Sequence, residues 1–210
     1  MYLSFIISII GLILLLINCI LFISKSKNKD ALHLTLTIYL SILFIVELLC
    51  NIIGILKPNS NFFLSHYYFN IQFIVLSLFF YQLYKKTILK LIILINLIVV
   101  SLFIGNQYYN NPALYWKFNN IEIGITSSLL LIYALIHFYN NLKESHIYFY
   151  FCYGLTFYLI SSALIFLSGN TELIIFTEPF FIDIWVFNSL FYILYQVLIY
   201  KEWRFINKYS

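Results

Sequence analysis

Residues 38–56 read IYLSILFIVELLCNIIGIL, an apolar run with a single charged side chain, Glu47, near its centre. About 20 apolar residues in a helix cross the roughly 30 Å hydrocarbon core of a bilayer. This stretch therefore predicts a membrane-spanning helix. Because runs of the same kind recur along the chain, it indicates the fold of the whole protein.

The composition supports the same conclusion. Of 210 residues, 63% are hydrophobic and 10% are charged, whereas soluble domains carry about 25% charged residues. So few charges cannot cover a water-soluble surface, and we expect a polytopic membrane protein. The first apolar run lacks a basic leader and a small-residue cleavage site, so we expect an uncleaved first span.

Apolar runs between short polar breaks predict an all-α fold, a single transmembrane bundle of seven helices covering residues 1–210 without a soluble domain. The expected spans are about 3–24, 32–56, 62–84, 88–105, 121–140, 148–168 and 181–200. Since no loop is long enough to form a domain, functional residues must lie in the helices or at their ends.

The basic residues predict how the bundle is oriented. Ten of the twelve fall in alternate loops and the tail, and only Lys57 and Lys117 fall on the other side. These ten are Lys25, Lys27, Lys29, Lys85, Lys86, Lys90, Lys143, Lys201, Arg204 and Lys208. The positive-inside rule then places the N-terminus outside and the C-terminus in the cytoplasm, as in a multi-pass protein of a bacterial inner membrane. The net charge of +4 is explained by this asymmetry, so it does not indicate a nucleic-acid partner.

Glu47 is the least expected residue in these spans. It lies nine residues before the outer end of the second span, roughly 13 Å deep at 1.5 Å per residue, and Asn51 follows one helical turn later. A charged side chain facing lipid at such depth costs about 2.5 kcal/mol or more, so we expect Glu47 to face the bundle interior. An unpaired carboxylate there would take up a proton, whereas a neighbouring His66 would favour the ionised form.

Other polar residues cluster in the outer halves of the spans. His66 and Asn70 begin the third span, Asp183 and Asn188 begin the seventh, and Glu122 lies at the rim of the fifth. We therefore predict an outward-facing polar pocket lined by Glu47, Asn51, His66, Asn70, Asp183 and Asn188. The alternative is that these side chains hydrogen-bond to one another between helices and only stabilise the bundle. For Asn70 and Asn188 that alternative is favoured, but a carboxylate such as Glu47 is not needed for it.

Several functions are disfavoured by missing residues. The last span has no lysine at mid-depth to hold retinal, and the four histidines do not form a zinc-hydrolase constellation. The three cysteines form no CxxC pair and are expected to be buried apolar residues. We predict no catalytic residues, no metal site and no cofactor.

One faint internal repeat favours a transporter. YYFNIQF (67–73) is similar to WVFNSLF (185–191) and runs in the same direction, which suits a parallel duplication of the kind found in sugar-transporting SWEET proteins. A transporter also needs polar residues near the inner face, where Gln82, Gln196 and His33 are the candidates.

The whole chain resembles a diffuse group of small seven-helix membrane proteins from low-GC, Bacteroidota-like bacteria, most of which have no assigned function. The resemblance rests on the Glu47-x3-Asn51-x2-Gly54 run, on SHYYFNIQF (65–73) and on the ending FYILYQVLIYKEW (191–203). It implies the seven-helix architecture and adds no activity.

The leading hypothesis is a module that binds or senses a small polar ligand or a lipid headgroup and contacts a membrane or cytoplasmic protein through its inner loops or tail. One alternative is a small-solute transporter, in which Glu47 could couple transport to protons. Another is a structural membrane subunit or scaffold. An enzyme acting on lipid, with Glu47 and His66 as acid and base, is less favoured.

Overall fold

A computed structural model describes residues 2–24, 30–57, 61–140, 148–168, 174–176 and 182–209. Within these residues, seven helices are each long and apolar enough to cross a membrane. The predicted seven-helix transmembrane fold is thereby confirmed, and the chain is a multi-pass membrane protein. The helices are α1 (Tyr2–Ser24), α2 (Ala31–Leu56), α3 (Phe63–Leu83), α4 (Thr87–Asn110), α5 (Asn120–Asn140), α6 (Phe149–Leu167) and α7 (Ile184–Tyr209), with a 3-10 helix at Pro112–Trp116 and short strands β1 (Ile174–Phe176) and β2 (Ile182–Asp183).

The chain divides into two compact units. The central unit is Ile23–Leu130, which holds α2, α3, α4, the 3-10 helix and the first half of α5. The terminal unit is Met1–Phe22 with Leu131–Ser210, which holds α1, the second half of α5, α6 and α7. That the chain folds as a single domain stays a prediction.

Helix α4 extends to Asn110, five residues beyond the span expected from hydropathy. The added turn contains the polar sequence NQYYN (106–110), which resembles a loop. It remains helical because two of its side chains bond to the start of α5: Asn119 Nδ2 donates to Gln107 Oε1 over 3.3 Å, and the Tyr108 hydroxyl donates to Glu122.

Helix α7 differs from its predicted span at both ends. Ile182 and Asp183 belong to an antiparallel ribbon with β1, so the helix begins only at Ile184. At its other end α7 continues to Tyr209, nine residues past the expected limit. The added helical residues include Trp203, whose indole donates to the Leu21 carbonyl over 3.0 Å.

Helix α3 is the interior helix of the central unit. In its apolar window 67% of the residues are buried, against 17% in α2 and in α4, and it contacts both of those helices. Its mean hydropathy is lower than theirs because it carries buried polar residues such as His66 and Gln72. Apolar side chains therefore face outward from α2 and α4, as expected where the surroundings are lipid.

Side-chain hydrogen bonds connect α2 and α3 within the central unit. Gln72 Nε2 donates to the Tyr39 hydroxyl over 3.0 Å, and the Thr35 hydroxyl lies 3.1 Å from Gln82 Oε1. Gln82, a candidate for an inner transport path, is thus engaged in helix packing.

In the terminal unit, α6 and α7 approach closely at Gly154. A Cβ at this position would lie 3.0 Å from Leu198 Cβ and 3.1 Å from the Tyr195 ring. One turn further along α6, the Tyr158 ring stacks on Tyr195 with a centroid distance of 5.2 Å. Small residues permit such close approach of membrane helices, where packing rather than water exclusion drives association.

A buried carboxylate on α7 caps the N-terminus of α6. Glu202 is fully buried, and its oxygens accept the backbone N–H groups of Tyr148 (2.6 Å) and Phe151 (3.1 Å). Tyr148 has a left-handed backbone with φ of 71°, which costs free energy for a bulky residue. These hydrogen bonds hold it there, and they satisfy N–H groups that a helix leaves unpaired at its start.

Replacing Gly154 by leucine is expected to destabilise the protein by about 1–3 kcal/mol, because the side chain overfills the α6–α7 contact. The free energy of unfolding in mixed micelles measures this effect. Gly105→Leu is the control, since among the described residues no atom outside the adjacent helix backbone lies within 4 Å of a Cβ at Gly105. Equal losses in the two variants would contradict close packing at Gly154.

Candidate functional site

Glu122, in the first turn of α5, is the centre of a buried hydrogen-bond cluster in the central unit. Its side chain is fully buried. Asn70 Nδ2 donates to Oε1 over 2.6 Å, His66 Nδ1 lies 2.9 Å from Oε2, and the Tyr108 hydroxyl also donates to Oε2. One carboxylate therefore joins α3, α4 and α5 at the same end of the unit.

The start of α5 explains why Glu122 occupies this place. Asn119 Oδ1 accepts the N–H groups of Ile121 (3.2 Å) and Glu122 (3.3 Å), as an N-terminal capping residue does. Negative charge in the first helical turn is also favoured by the helix dipole. The local sequence therefore fixes the carboxylate at the end of α5 while its oxygens bond to α3 and α4.

His66 is 5% exposed and uses both ring nitrogens. Nε2 lies 3.2 Å from the Tyr115 carbonyl, and since a carbonyl only accepts, Nε2 must carry a proton in this contact. Nδ1 lies near both Glu122 (2.9 Å) and the Tyr108 hydroxyl (2.6 Å). His66 Nδ1, the Glu122 carboxylate and the Tyr108 hydroxyl are therefore all within hydrogen-bond distance of one another.

An aromatic rim lies over His66, made of Phe63, Tyr67, Tyr115 and Trp116. Tyr115 contacts the other three rings and also His66. Tyr67 and Trp116 are 47% and 64% exposed. The hydrogen bond between the Tyr67 and Tyr115 hydroxyls (3.0 Å) raises the pKa of Tyr115. The rim therefore presents phenolic hydroxyls and an indole to its surroundings.

Of the six residues predicted to line a pocket, the structure brings two together, His66 and Asn70. They meet at Glu122, which the sequence had suggested only as a rim residue. The sequence suggested Glu47 as the acidic neighbour of His66. In the structure, the carboxylate next to His66 is that of Glu122.

Glu47 and Asn51 lie on α2 without joining this cluster. Asn51 Nδ2 donates to the Glu47 backbone carbonyl over 2.8 Å. No hydrogen bond or ion pair from the described residues reaches the Glu47 carboxylate. A cavity of about 10 Å³, enough for one water molecule, lies between α2 and α3. None of the six predicted residues lines it. Its lining is Tyr39, Ile42, Leu43, Val46, Tyr68, Ile71 and Gln72.

Asp183 and Asn188 belong to the terminal unit. Asp183 pairs through its backbone with Ile174 in the ribbon. Asn188 is half-buried on α7, and its Oδ1 is buried without a hydrogen-bond partner among the described residues. The single pocket expected from all six residues stays a prediction.

Sequence reasoning missed Glu122, Tyr108, Tyr115 and Asn119 as parts of a site. The available signal was the spacing Asn119-x2-Glu122, which resembles a helix capping pattern. Tyr108 was missed because the predicted fourth span ends at residue 105, which leaves the segment NQYYN (106–110) outside the helix. Tyr115 contributes a backbone carbonyl, which no residue pattern indicates.

Within the described part of the chain, no group of three His, Cys, Asp or Glu side chains is arranged to hold a metal ion. Comparison of the chain with protein-family models, curated proteins and solved structures gave no match.

Replacing Glu122 by glutamine is expected to lower the free energy of unfolding by about 3 kcal/mol, because one partner of a buried hydrogen-bonded pair is removed. Hydrogen exchange should rise in 61–83 and 105–122. Glu47→Gln is the matched control: its carboxylate has no donor to lose, so a change of about 0.5 kcal/mol or less is expected. Similar losses in both variants would show that Glu122 is not a structural centre.

Proposed function

We propose that this multi-pass protein resides in a bacterial inner membrane with its N-terminus outside, where it binds a small polar ligand or a lipid headgroup at the outer end of the central unit. Ligand binding changes the hydrogen bonds that hold the helices, so the protein acts as a sensing module. The observation that carries the proposal is the hydrogen-bond path from the exposed rim to the buried Glu122.

The charge distribution supports the orientation of this site. Glu122 lies at the end of the central unit where α3 and α5 begin and α4 ends. Lys85, Lys86 and Lys90 lie at the opposite ends of α3 and α4. The positive-inside rule assigns that basic end to the cytoplasm and hence the Glu122 end to the outside.

The path consists of successive contacts between neighbouring groups. The Tyr67 hydroxyl bonds to Tyr115, the Tyr115 carbonyl bonds to His66, and His66 bonds to Glu122. A ligand that moves the 3-10 helix breaks the bond at His66 Nε2 and thereby shifts the imidazole that bonds to Glu122. Since the Glu122 carboxylate also bonds to side chains of α3 and α4, the shift of His66 changes the contacts between these helices and α5.

The rim indicates the chemistry of the ligand. Its exposed groups are aromatic faces and phenolic hydroxyls, which suit a molecule with hydroxyl, amine or phosphate groups at the level of lipid headgroups. Lys117, exposed immediately after the 3-10 helix, adds a positive charge beside the rim. A polar headgroup or a small polar solute satisfies these requirements.

The cytoplasmic end of α7 is the proposed output surface. Lys201, Arg204 and Lys208 lie on its last turns, where basic side chains attract anionic lipids or an acidic partner protein. Trp203 and Glu202 attach this part of α7 to α1 and α6.

Fluorine NMR of protein labelled with 5-fluorotryptophan tests the binding site. Nanodiscs of phosphatidylcholine, phosphatidylethanolamine or phosphatidylglycerol serve as probes, followed by soluble phosphoethanolamine and glycerol 3-phosphate. We expect one headgroup type to shift the Trp116 resonance, while Trp185 and Trp203 serve as internal controls.

His66→Phe keeps a ring beneath Tyr115 but removes its hydrogen bonds, so it should abolish the transmitted change in hydrogen exchange of α3. A Trp116 resonance that is insensitive to every probe, or that moves together with the two control resonances, would contradict a headgroup or ligand site here.

A further inference from the structure

Three carboxylates lie within the described membrane spans, in three different environments. Glu122 is bonded to His66, Asn70 and Tyr108. Glu202 accepts two backbone N–H groups at the start of α6. The carboxylate of Glu47, in contrast, receives no hydrogen bond from any described residue, although it lies near the middle of α2.

The surroundings of Glu47 are apolar and open on one side. Its neighbours Ile45, Leu48 and Leu49 are 55%, 36% and 42% exposed, so this part of α2 faces lipid. Glu47 itself is half-buried at the border of that face. A structural role of the kind that Glu122 and Glu202 have requires donors, and the described residues supply none to the Glu47 carboxylate.

Among the described residues of the central unit, no positive group forms an ion pair with Glu47. The nearest titratable side chain on α2 is Cys50, one turn away, and Lys57 is ten residues or about 15 Å further along the helix. On α3, which packs against α2, the titratable residues are His66, Tyr67, Tyr68 and Tyr81. Only His66 can carry positive charge, and both of its nitrogens already have partners, Nδ1 at Glu122 and Nε2 at the Tyr115 carbonyl.

We propose that Glu47 is a proton-binding carboxyl accessible from the lipid, separate from the Glu122 site. An ionised side chain at this depth costs about 2.5–3.5 kcal/mol, and a bound proton removes that cost where no counter-charge is present. Reversible protonation of a half-buried carboxyl beside a lipid-facing surface is the chemistry that a proton-coupled membrane process requires. The proposal does not depend on ligand binding at the aromatic rim.

Dicyclohexylcarbodiimide, which partitions into membranes, tests the proposal on the full chain in nanodiscs. A protonated carboxyl adds across one C=N bond: its proton moves to nitrogen and its oxygen bonds to the central carbon. Migration of the acyl group from oxygen to nitrogen then gives a stable N-acylurea. No atom is lost, so the protein gains the mass of one carbodiimide, and peptide mass spectrometry locates it.

We expect one adduct, at Glu47, which declines to background as the pH is raised because only the protonated acid reacts. Glu47→Gln should remove it, and Glu47→Asp should restore part of it if the variant elutes as a folded species. Protein carrying Glu122→Gln should still be labelled at Glu47. A water-soluble carbodiimide should label it far more slowly, since access is through lipid.

Failure to label Glu47 at any pH, or labelling of Glu122 or Glu202 in its place, would overturn the proposal. Failure of the headgroup experiment would leave it intact, because the two tests probe different residues by different readouts.

Discussion

The carboxylate of Glu122 is the constraint on which the described central unit most depends. It is fully buried and holds side chains of α3 and α4 against the start of α5. Water can replace a lost partner at an exposed site, but Glu122 is fully buried, so a lost partner leaves a buried polar group unsatisfied. Each donor around Glu122 therefore has one low-energy position, and the ends of three helices are fixed together.

The polar residues of this chain show how a membrane protein places charge at low cost. Glu122 lies at the N-terminus of its own helix, and Glu202 of α7 lies at the N-terminus of α6, where unpaired N–H groups and the helix dipole favour a carboxylate. Glu47 lies in mid-helix, where backbone N–H groups are already used. The difference separates two acids that hold the fold from one whose proton can be gained or lost.

Hydropathy and length were sufficient to predict seven helices, because the bilayer imposes one element type and one approximate length. They failed at the ends of α4 and α7, where polar side chains such as Tyr108 and Trp203 form tertiary contacts that keep the chain helical. His66 and Asn70 were recognisable as neighbours from their spacing along α3. Their partner Glu122 was not recognisable, because whether Glu47 or Glu122 reaches these side chains depends on how helices distant in sequence pack.

A double-mutant cycle between Glu122 and Tyr108 is the most direct test of this account. If Glu122 organises the cluster, Tyr108→Phe will destabilise the wild-type protein but have little further effect in Glu122→Gln, with a coupling energy of about 0.5–3 kcal/mol. Repeating the cycle with Asn70→Ala should show coupling of the same sign. Additive losses in both cycles would mean that the donors stabilise the helices independently, and the central role of Glu122 would be contradicted.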